Sequence, residues 1–158
     1  MKIDRSRLLV IDASIAQSSG ETEHPVSKIC REALNCILKI CHHIILTRTI
    51  REEWKHHKSK FARKWLCAMY ARKKIKNIED AALPEVTIKQ SNVSQNDLIG
   101  LEKDLPLIQG ACAGDGIIIT RDEEITKIWS RCREHIKTPQ FVRWINPVHD
   151  GTECLKDL

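Results

Sequence analysis

The stretch from Lys103 to Asp122, KDLPLIQGACAGDGIIITRD, constrains the rest of the chain more than any other. Leu107, Ile108, Ala111 and Cys112 recur at helical spacing, and Pro106 suits the first turn of such a helix, where a missing N–H costs nothing. Gly114 and Gly116 stop that helix, because glycine takes the left-handed cap conformation cheaply. Ile117-Ile118-Ile119 is too short and too β-branched to be helical. An unbroken apolar run of this kind reads as a strand buried on both faces, as in a parallel sheet. The pattern therefore predicts a helix starting at Asp104, a glycine break, and a buried strand whose carboxyl end leads into Thr120 and Asp122. Open α/β sheets keep their ligands at that edge.

A second segment has the same grammar. Leu8-Leu9-Val10-Ile11 ends in Asp12, followed by Ala13 and Ser14. Two buried strands that both end in a carboxylate suggest a shared acidic pocket. The alternative is that each Asp caps the helix after it, a position Asp favours.

The remaining periodicities fill in an alternating α/β pattern. Glu21 to Ile40 carries one apolar stripe of Val26, Ile29, Cys30, Ala33, Ile37 and Ile40 and reads as a helix, with Ser18-Ser19-Gly20 as the loop before it. His42 to Leu46 reads as a second buried strand, so strand, helix and strand form a βαβ unit with parallel strands. Thr47 is placed to cap a helix over Arg48 to Lys58, which holds Glu52 and Glu53; a further helix is expected over about residues 60–74. Lys55, Lys58, Lys60, Arg63 and Lys64 make this region basic, with Trp54, Phe61, Trp65 and Tyr70 interleaved. It reads either as a solvated face over an aromatic core stripe or as a phosphate-binding surface. Trp54 and Trp65 could stack on unpaired bases, but their spacing favours core packing. Residues 78–94 show little pattern beyond a short extended Val86-Thr87-Ile88. A short helix over Asn96 to Lys103, a helix over Glu124 to His135 and a strand over Phe141 to Ile145 complete the reading.

These elements predict one domain over residues 1–158, an α/β three-layer α/β/α sandwich around a mostly parallel sheet of four to five strands, with a mobile polar tail after about Pro147. No stretch approaches the roughly 18 apolar residues that span a bilayer, and MKIDRSR carries no hydrophobic leader, so no membrane contact and a cytoplasmic location are expected. The seven cysteines are an odd number without a C-x-x-C pair, and small core residues are their simplest reading. A zinc site from Cys36, Cys41, His42 and His43 matches no standard finger spacing. The net charge of +5 permits a polyanionic partner without requiring one.

Asp12, Glu53, Asp104 and Asp122 thus stand in comparable places, and the carboxyl edge of a parallel sheet could gather all four. Carboxylates held close together repel unless a cation neutralises them. Hard oxygen ligands favour Mg²⁺ or Mn²⁺, which bind phosphate oxygens and activate water.

LLVIDAS, LTRTIREEW and KDLPLIQGACAGDGIIITRDEE, in that order, resemble the PIN-domain nucleases. That family opens with a strand ending in Asp, then a small residue and Ser, Thr or Asn. Its Glu lies about six positions past a Ser or Thr, which Thr47 and Glu53 match, although Glu52 is adjacent. Its third motif is an Asp-initiated helix with small residues one to two turns on, matched by Asp104 and Ala111. Its fourth is a hydrophobic strand, then Ser or Thr, any residue and Asp, which IIITRD matches. The resemblance implies a PIN-like fold and a Mg²⁺- or Mn²⁺-dependent endoribonuclease with RNA as substrate. Such proteins are often the toxin of a pair with an antitoxin protein, and often homodimers. On this reading Asp12, Glu53, Asp104 and Asp122 hold the metal, and Ser14 and Thr120 orient ligands or water. Lys55, Lys58, Lys60, Arg63, Lys64 and Arg121 would hold the RNA backbone. The alternatives are a silent PIN-fold module that binds RNA or a partner, and a phosphohydrolase of small esters. The second lacks the Asp-x-Asp such enzymes carry, since Ala13 and Ser14 follow Asp12.

Overall fold

The computed structural model describes residues 6–158; the segment from Met1 to Arg5, part of the stretch read as lacking a leader, lies outside the described residues. The chain runs β1 (Leu8–Ile11), α1 (Ala13–Ser18), α2 (Pro25–Ile40), β2 (His43–Thr47), α3 (Arg48–His57), α4 (Lys60–Ala71) and β3 (Ile75–Ile78). After β4 (Thr87–Ile88) come α5 (Gln95–Cys112), β5 (Ile117–Ile119) and α6 (Glu123–Cys132), then β6 (Ile136–Lys137), β7 (Arg143–Ile145) and α7 (Pro147–Asp150).

Five strands form one sheet in the order β3-β2-β1-β5-β7, each parallel to its neighbours. The chain builds outward from β1 to β3, returns across the sheet through α5, and continues from β5 to β7. Right-handed crossovers then put α1 to α4 on one face and α5 and α6 on the other, and α2 packs on α4 while α5 packs on α6. This is the expected three-layer sandwich. Its core is the strands themselves: Leu9, Val10, Ile44, Ile45, Ile118 and Ile119 are fully or almost fully buried. Among the described residues no helix is long and apolar enough to cross a membrane.

Local chemistry explains the element ends. The Thr47 hydroxyl accepts from Ile50 N and starts α3, and the Ser59 hydroxyl accepts from Ala62 N and starts α4. The two tryptophans of this pair are core residues, not base-stacking platforms. Trp54 is 1% exposed and donates its indole N–H to the Ile11 carbonyl at 2.8 Å, while Trp65 donates to the Leu34 carbonyl at 2.6 Å. Their rings stack 5.8 Å apart.

Several elements differ from the sequence-based expectation. The helices expected over Asn96 to Lys103 and from Asp104 onward are one helix, α5, with Pro106 inside it. Pro106 deprives one carbonyl of its helical donor. The helix continues because Leu98, Leu101, Leu107, Ile108 and Ala111 on both sides of it are all buried. Asp104 therefore sits in mid-helix rather than at a helix start. The helix expected to reach residue 74 ends at Ala71, and Ile75–Ile78 is an edge strand. Its Lys76 and Asn77 are exposed, so its sequence lacks the apolar signature of an inner strand. Helix α1 over Ala13–Ser18 is not among the expected elements, and of the loop expected over Ser18 to Gly20 only Ser18 is helical. The polar tail expected to be mobile packs back on the sandwich, with Leu155 fully buried. There the His42 Nδ1 accepts from Arg7 N at 3.0 Å, so Nε2 carries the proton and donates to the Leu155 carbonyl at 2.9 Å. Both ring nitrogens are engaged, which removes His42 from any zinc set.

Gly116 makes the turn between α5 and β5. Its φ is +76°, and a Cβ there would fall 2.3 Å from the Phe141 carbonyl oxygen. Gly116→Ala is expected to destabilise the fold by about 1–3 kcal/mol from backbone strain alone. Gly20→Ala, with open space around it, should change little. The midpoints of urea unfolding compare the two.

Candidate active site

The sheet order reverses direction between β1 and β5, and the crevice outside the carboxyl ends of strands at such a switch is where α/β sheets bind ligands. A crevice of about 240 Å³ lies there, and Asp12, Ser14, Glu53, Asp104 and Asp122 all line it. The four carboxylates come from the ends of β1 and β5 and from α3 and α5.

Asp12 follows β1, and its backbone N–H closes the strand pairing by donating to the Ile119 carbonyl at 2.9 Å. It occupies the N-cap position of α1, yet its side chain makes no capping hydrogen bond. Instead the Ser14 hydroxyl donates to Asp12 Oδ2 at 2.7 Å and the Thr120 hydroxyl donates to the same oxygen at 2.8 Å. Each hydroxyl has one proton, and each also accepts a backbone N–H: Ser14 from Arg121 at 3.1 Å, Thr120 from Asp122 at 3.0 Å. The two loops leaving β1 and β5 are thereby stitched together with the Asp12 carboxylate in a defined orientation.

Asp122 does cap the helix after it, accepting through Oδ1 from Glu124 N at 2.9 Å and Ile125 N at 3.4 Å. It also lines the crevice, so the two sequence-level alternatives for this residue are both realised. Glu53 lines the crevice from α3; the adjacent Glu52, exposed like Glu53, does not line it. Glu53 is placed by its neighbour Trp54, whose indole bond to the Ile11 carbonyl ties α3 to the end of β1.

Asp104 comes from the opposite wall. It continues the buried stripe of α5 at the level where the strands end, and burial together with the charges of Asp12 and Asp122 pushes its carboxyl up to about 6, with Glu53 adding to the effect. Lys103 next to it pulls the other way. Burial is the larger cause of this shift, and the three neighbouring carboxylates add to it.

The crevice also holds residues that sequence reasoning missed. Lys103 is its fixed positive charge, and Gln17, Thr49 and His57 line it too. His57 Nε2 lies 3.8 Å from Glu53 Oε2, at i+4 on the same helix, a spacing that could have flagged it. None of Lys55, Lys58, Lys60, Arg63 and Lys64 lines the crevice. Lys60, Arg63 and Lys64 edge a separate depression on α4, and Lys64 reaches Glu21 at 3.9 Å. Arg121 is tied to Ser18, its guanidinium donating at 2.6 Å.

The acidic donors are hard oxygens, four carboxylates with hydroxyls supporting Asp12, a ligand type that suits divalent cations such as Mg²⁺ or Mn²⁺, with the His57 imidazole also on the crevice wall. Among the described residues no three His, Cys, Asp or Glu side chains already converge into a closed coordination cage. The carboxylates line the crevice rather than meet in it. No family model matches the chain, and neither a curated protein nor a solved structure matches it.

The raised Asp104 value has a consequence for stability. Below its ordinary value of 3.8 both folded and unfolded chains keep the proton, and the residue contributes nothing. As pH rises the unfolded chain releases it first, so the folded state loses ground until about pH 6 and keeps the whole penalty above that. In a chelator, Asp104→Asn is therefore expected to melt higher than the wild type at neutral pH, with the gap closing toward pH 4. A gap independent of pH would contradict the burial and repulsion assigned to Asp104.

Proposed function

We propose that this chain is a PIN-type endoribonuclease that hydrolyses RNA phosphodiester bonds with Mg²⁺ or Mn²⁺. One observation carries the reading: the four acids that match the family's motifs, separated by up to 110 positions between Asp12 and Asp122, line a single crevice at the topological switch of a parallel sheet. The raised Asp104 carboxyl, whose neighbours in the crevice wall include the three other acids named by the same motifs, supports the reading.

Asp12, Glu53, Asp104 and Asp122 are the residues that would hold the metal. When bound, it would neutralise phosphate oxygens and make water a better nucleophile. The chain's own contribution is orientation. Ser14 and Thr120 fix the Asp12 carboxylate, the first turn of α6 fixes Asp122, and Trp54 fixes the helix that carries Glu53. Lys103 supplies a positive charge against the phosphate from the α5 wall. The lysines and arginines of α3 and α4 lie outside the crevice, where a long substrate's flanking phosphates would run.

Asp12→Asn and Asp122→Asn are each expected to abolish metal-dependent cleavage of RNA while the protein stays folded, since an amide oxygen can still accept the hydroxyl and cap hydrogen bonds. Glu53→Gln should lose activity heavily and Glu52→Gln little. Wild-type cleavage by any of the first three would refute the assigned site.

The basic face is tested separately. Changing Lys58, Lys60 and Lys64 together to Ala should weaken RNA binding and lower the salt slope by about 2, at roughly 0.7 per lost phosphate contact. Turnover at saturating RNA should change far less. An unaltered salt titration would make this face a solvated surface only.

A further inference from the structure

Phe141 is 72% exposed, the largest exposure among the described large apolar side chains. Its backbone is nonetheless held on both sides. Gln140 donates its amide to the Cys112 carbonyl at 2.9 Å and the Gly114 carbonyl at 2.6 Å, Val142 is buried, and Arg143 N donates to the Gly116 carbonyl at 2.7 Å. A large apolar ring presented to water on an immobilised segment loses little conformational freedom when something covers it.

Two grooves meet at this ring, one of about 670 Å³ between α6 and β7 and one of about 580 Å³ beside the β4–β6 pair; Arg133 and Phe141 line both. Trp129 and Trp144 floor the first groove with their rings 5.7 Å apart, and the Arg133 guanidinium lies 5.5 Å from the Trp129 ring centre. Arg143 lines the first groove, and Lys89 and Lys137 line the second. Among the described residues none of these three cations pairs with an acid. The acids of the first groove do have partners: Glu123 is bonded to His149, and Asp150 accepts from Asn146 N at 2.9 Å. Glu134 on the second groove is the exception. The first groove and the acidic crevice share no lining residue, but the chain links them directly: Asp122 lines the crevice and Glu123, next in sequence, lines the groove.

We infer that this surface is a track for unpaired RNA, on which the substrate strand leaves the crevice past Glu123, runs between α6 and β7, and stacks a base on Phe141. The inference rests on the ribonuclease reading and adds to it a path for the strand outside the crevice, over the α6–β7 groove and Phe141. Exposed aromatic faces beside uncompensated cations bind bases by stacking and phosphates by charge, and a duplex keeps its base faces covered. An acidic protein segment could use the same cations, but the exposed Phe141 ring beside them favours a ligand that carries flat bases as well as charge.

The test uses full-length protein carrying Asp12→Asn, so that binding is read without cleavage, with an unstructured fluorescent RNA and a hairpin of the same composition. Adding Phe141→Ala should weaken binding of the unstructured RNA about 10-fold or more and leave its salt slope unchanged, as loss of one base stack requires. Phe141→Trp should restore it. Arg143→Ala with Lys137→Ala should instead lower the salt slope by about 1.4. Hairpin binding should change little, and a dinucleotide too short to reach the track should be cleaved equally by wild type and by Phe141→Ala alone. Unchanged affinity in the Phe141 variant, or equal loss for hairpin and unstructured RNA, would overturn the track. So would a Phe141-dependent self-association in sedimentation with RNA binding intact, which would make the ring a protein contact. If wild type cleaves RNA while Phe141→Ala binds it normally, only the track fails. If wild type neither binds nor cleaves any RNA, the ribonuclease reading fails and the track with it.

Discussion

The pairing of β1 with β5 is the constraint on which the rest of the structure depends. Leu9, Val10 and Ile11 stand opposite Ile117, Ile118 and Ile119, so the two strands end at the same level. The next residue of each chain direction then emerges on the same edge, and the Asp12 N–H to Ile119 carbonyl bond is the last rung of that ladder. Parallel pairing requires a long crossover, and here about two thirds of the chain, residues 12–116, separates the two strands. Both are apolar along their length because helices cover both faces. The burial that stabilises the sheet and the placement of Asp12 beside Thr120 and Asp122 therefore have one cause.

Charge works against that arrangement. Four carboxylates around one crevice repel, and burial on α5 makes the penalty largest at Asp104. The surrounding structure is correspondingly over-determined. Two hydroxyls hold Asp12, a helix N-terminus holds Asp122, and a buried Trp54 holds the helix bearing Glu53. Asp12 and Asp122 are kept in place by neutral donors, while Glu53 has His57 and Asp104 has Lys103 nearby. Concentrating unfavourable charge on a rigid apolar scaffold is the arrangement expected of a functional site rather than a structural one.

The two walls of the crevice differ in what flanks them. Beyond α3 lie the lysines and arginines of α3 and α4; beyond Asp122 lie the α6–β7 groove and Phe141. Both flanks carry positive charge that does not line the crevice itself, whose own cation is Lys103.

Most of the fold was legible in the sequence because its signals are local. Apolar runs without alternation mark strands covered on both faces, three-and-four spacing marks α2 and α6, and the hydroxyl of Thr47 sits at a helix start. Asp12, Ser14, Glu53, Thr120 and Asp122 were legible for the same reason, since each holds a definite position relative to a strand or helix end. Asp104 was identified with its local context misjudged. Read as a helix start because of Pro106, it is an acid on the buried stripe between Leu101 and Leu107, a signal visible only once the helix is continuous. What tertiary structure alone decided is long-range. The edge strand Ile75–Ile78 is a strand because β2 pairs with it, and the tail is ordered because His42 receives Leu155. Lys103 joins the crevice because α5 crosses the strand ends, and Phe141 stays exposed because neighbours in sequence are held by α5 and β5. Local pattern determines which residues can form an element; only the packing of elements determines which of their side chains meet.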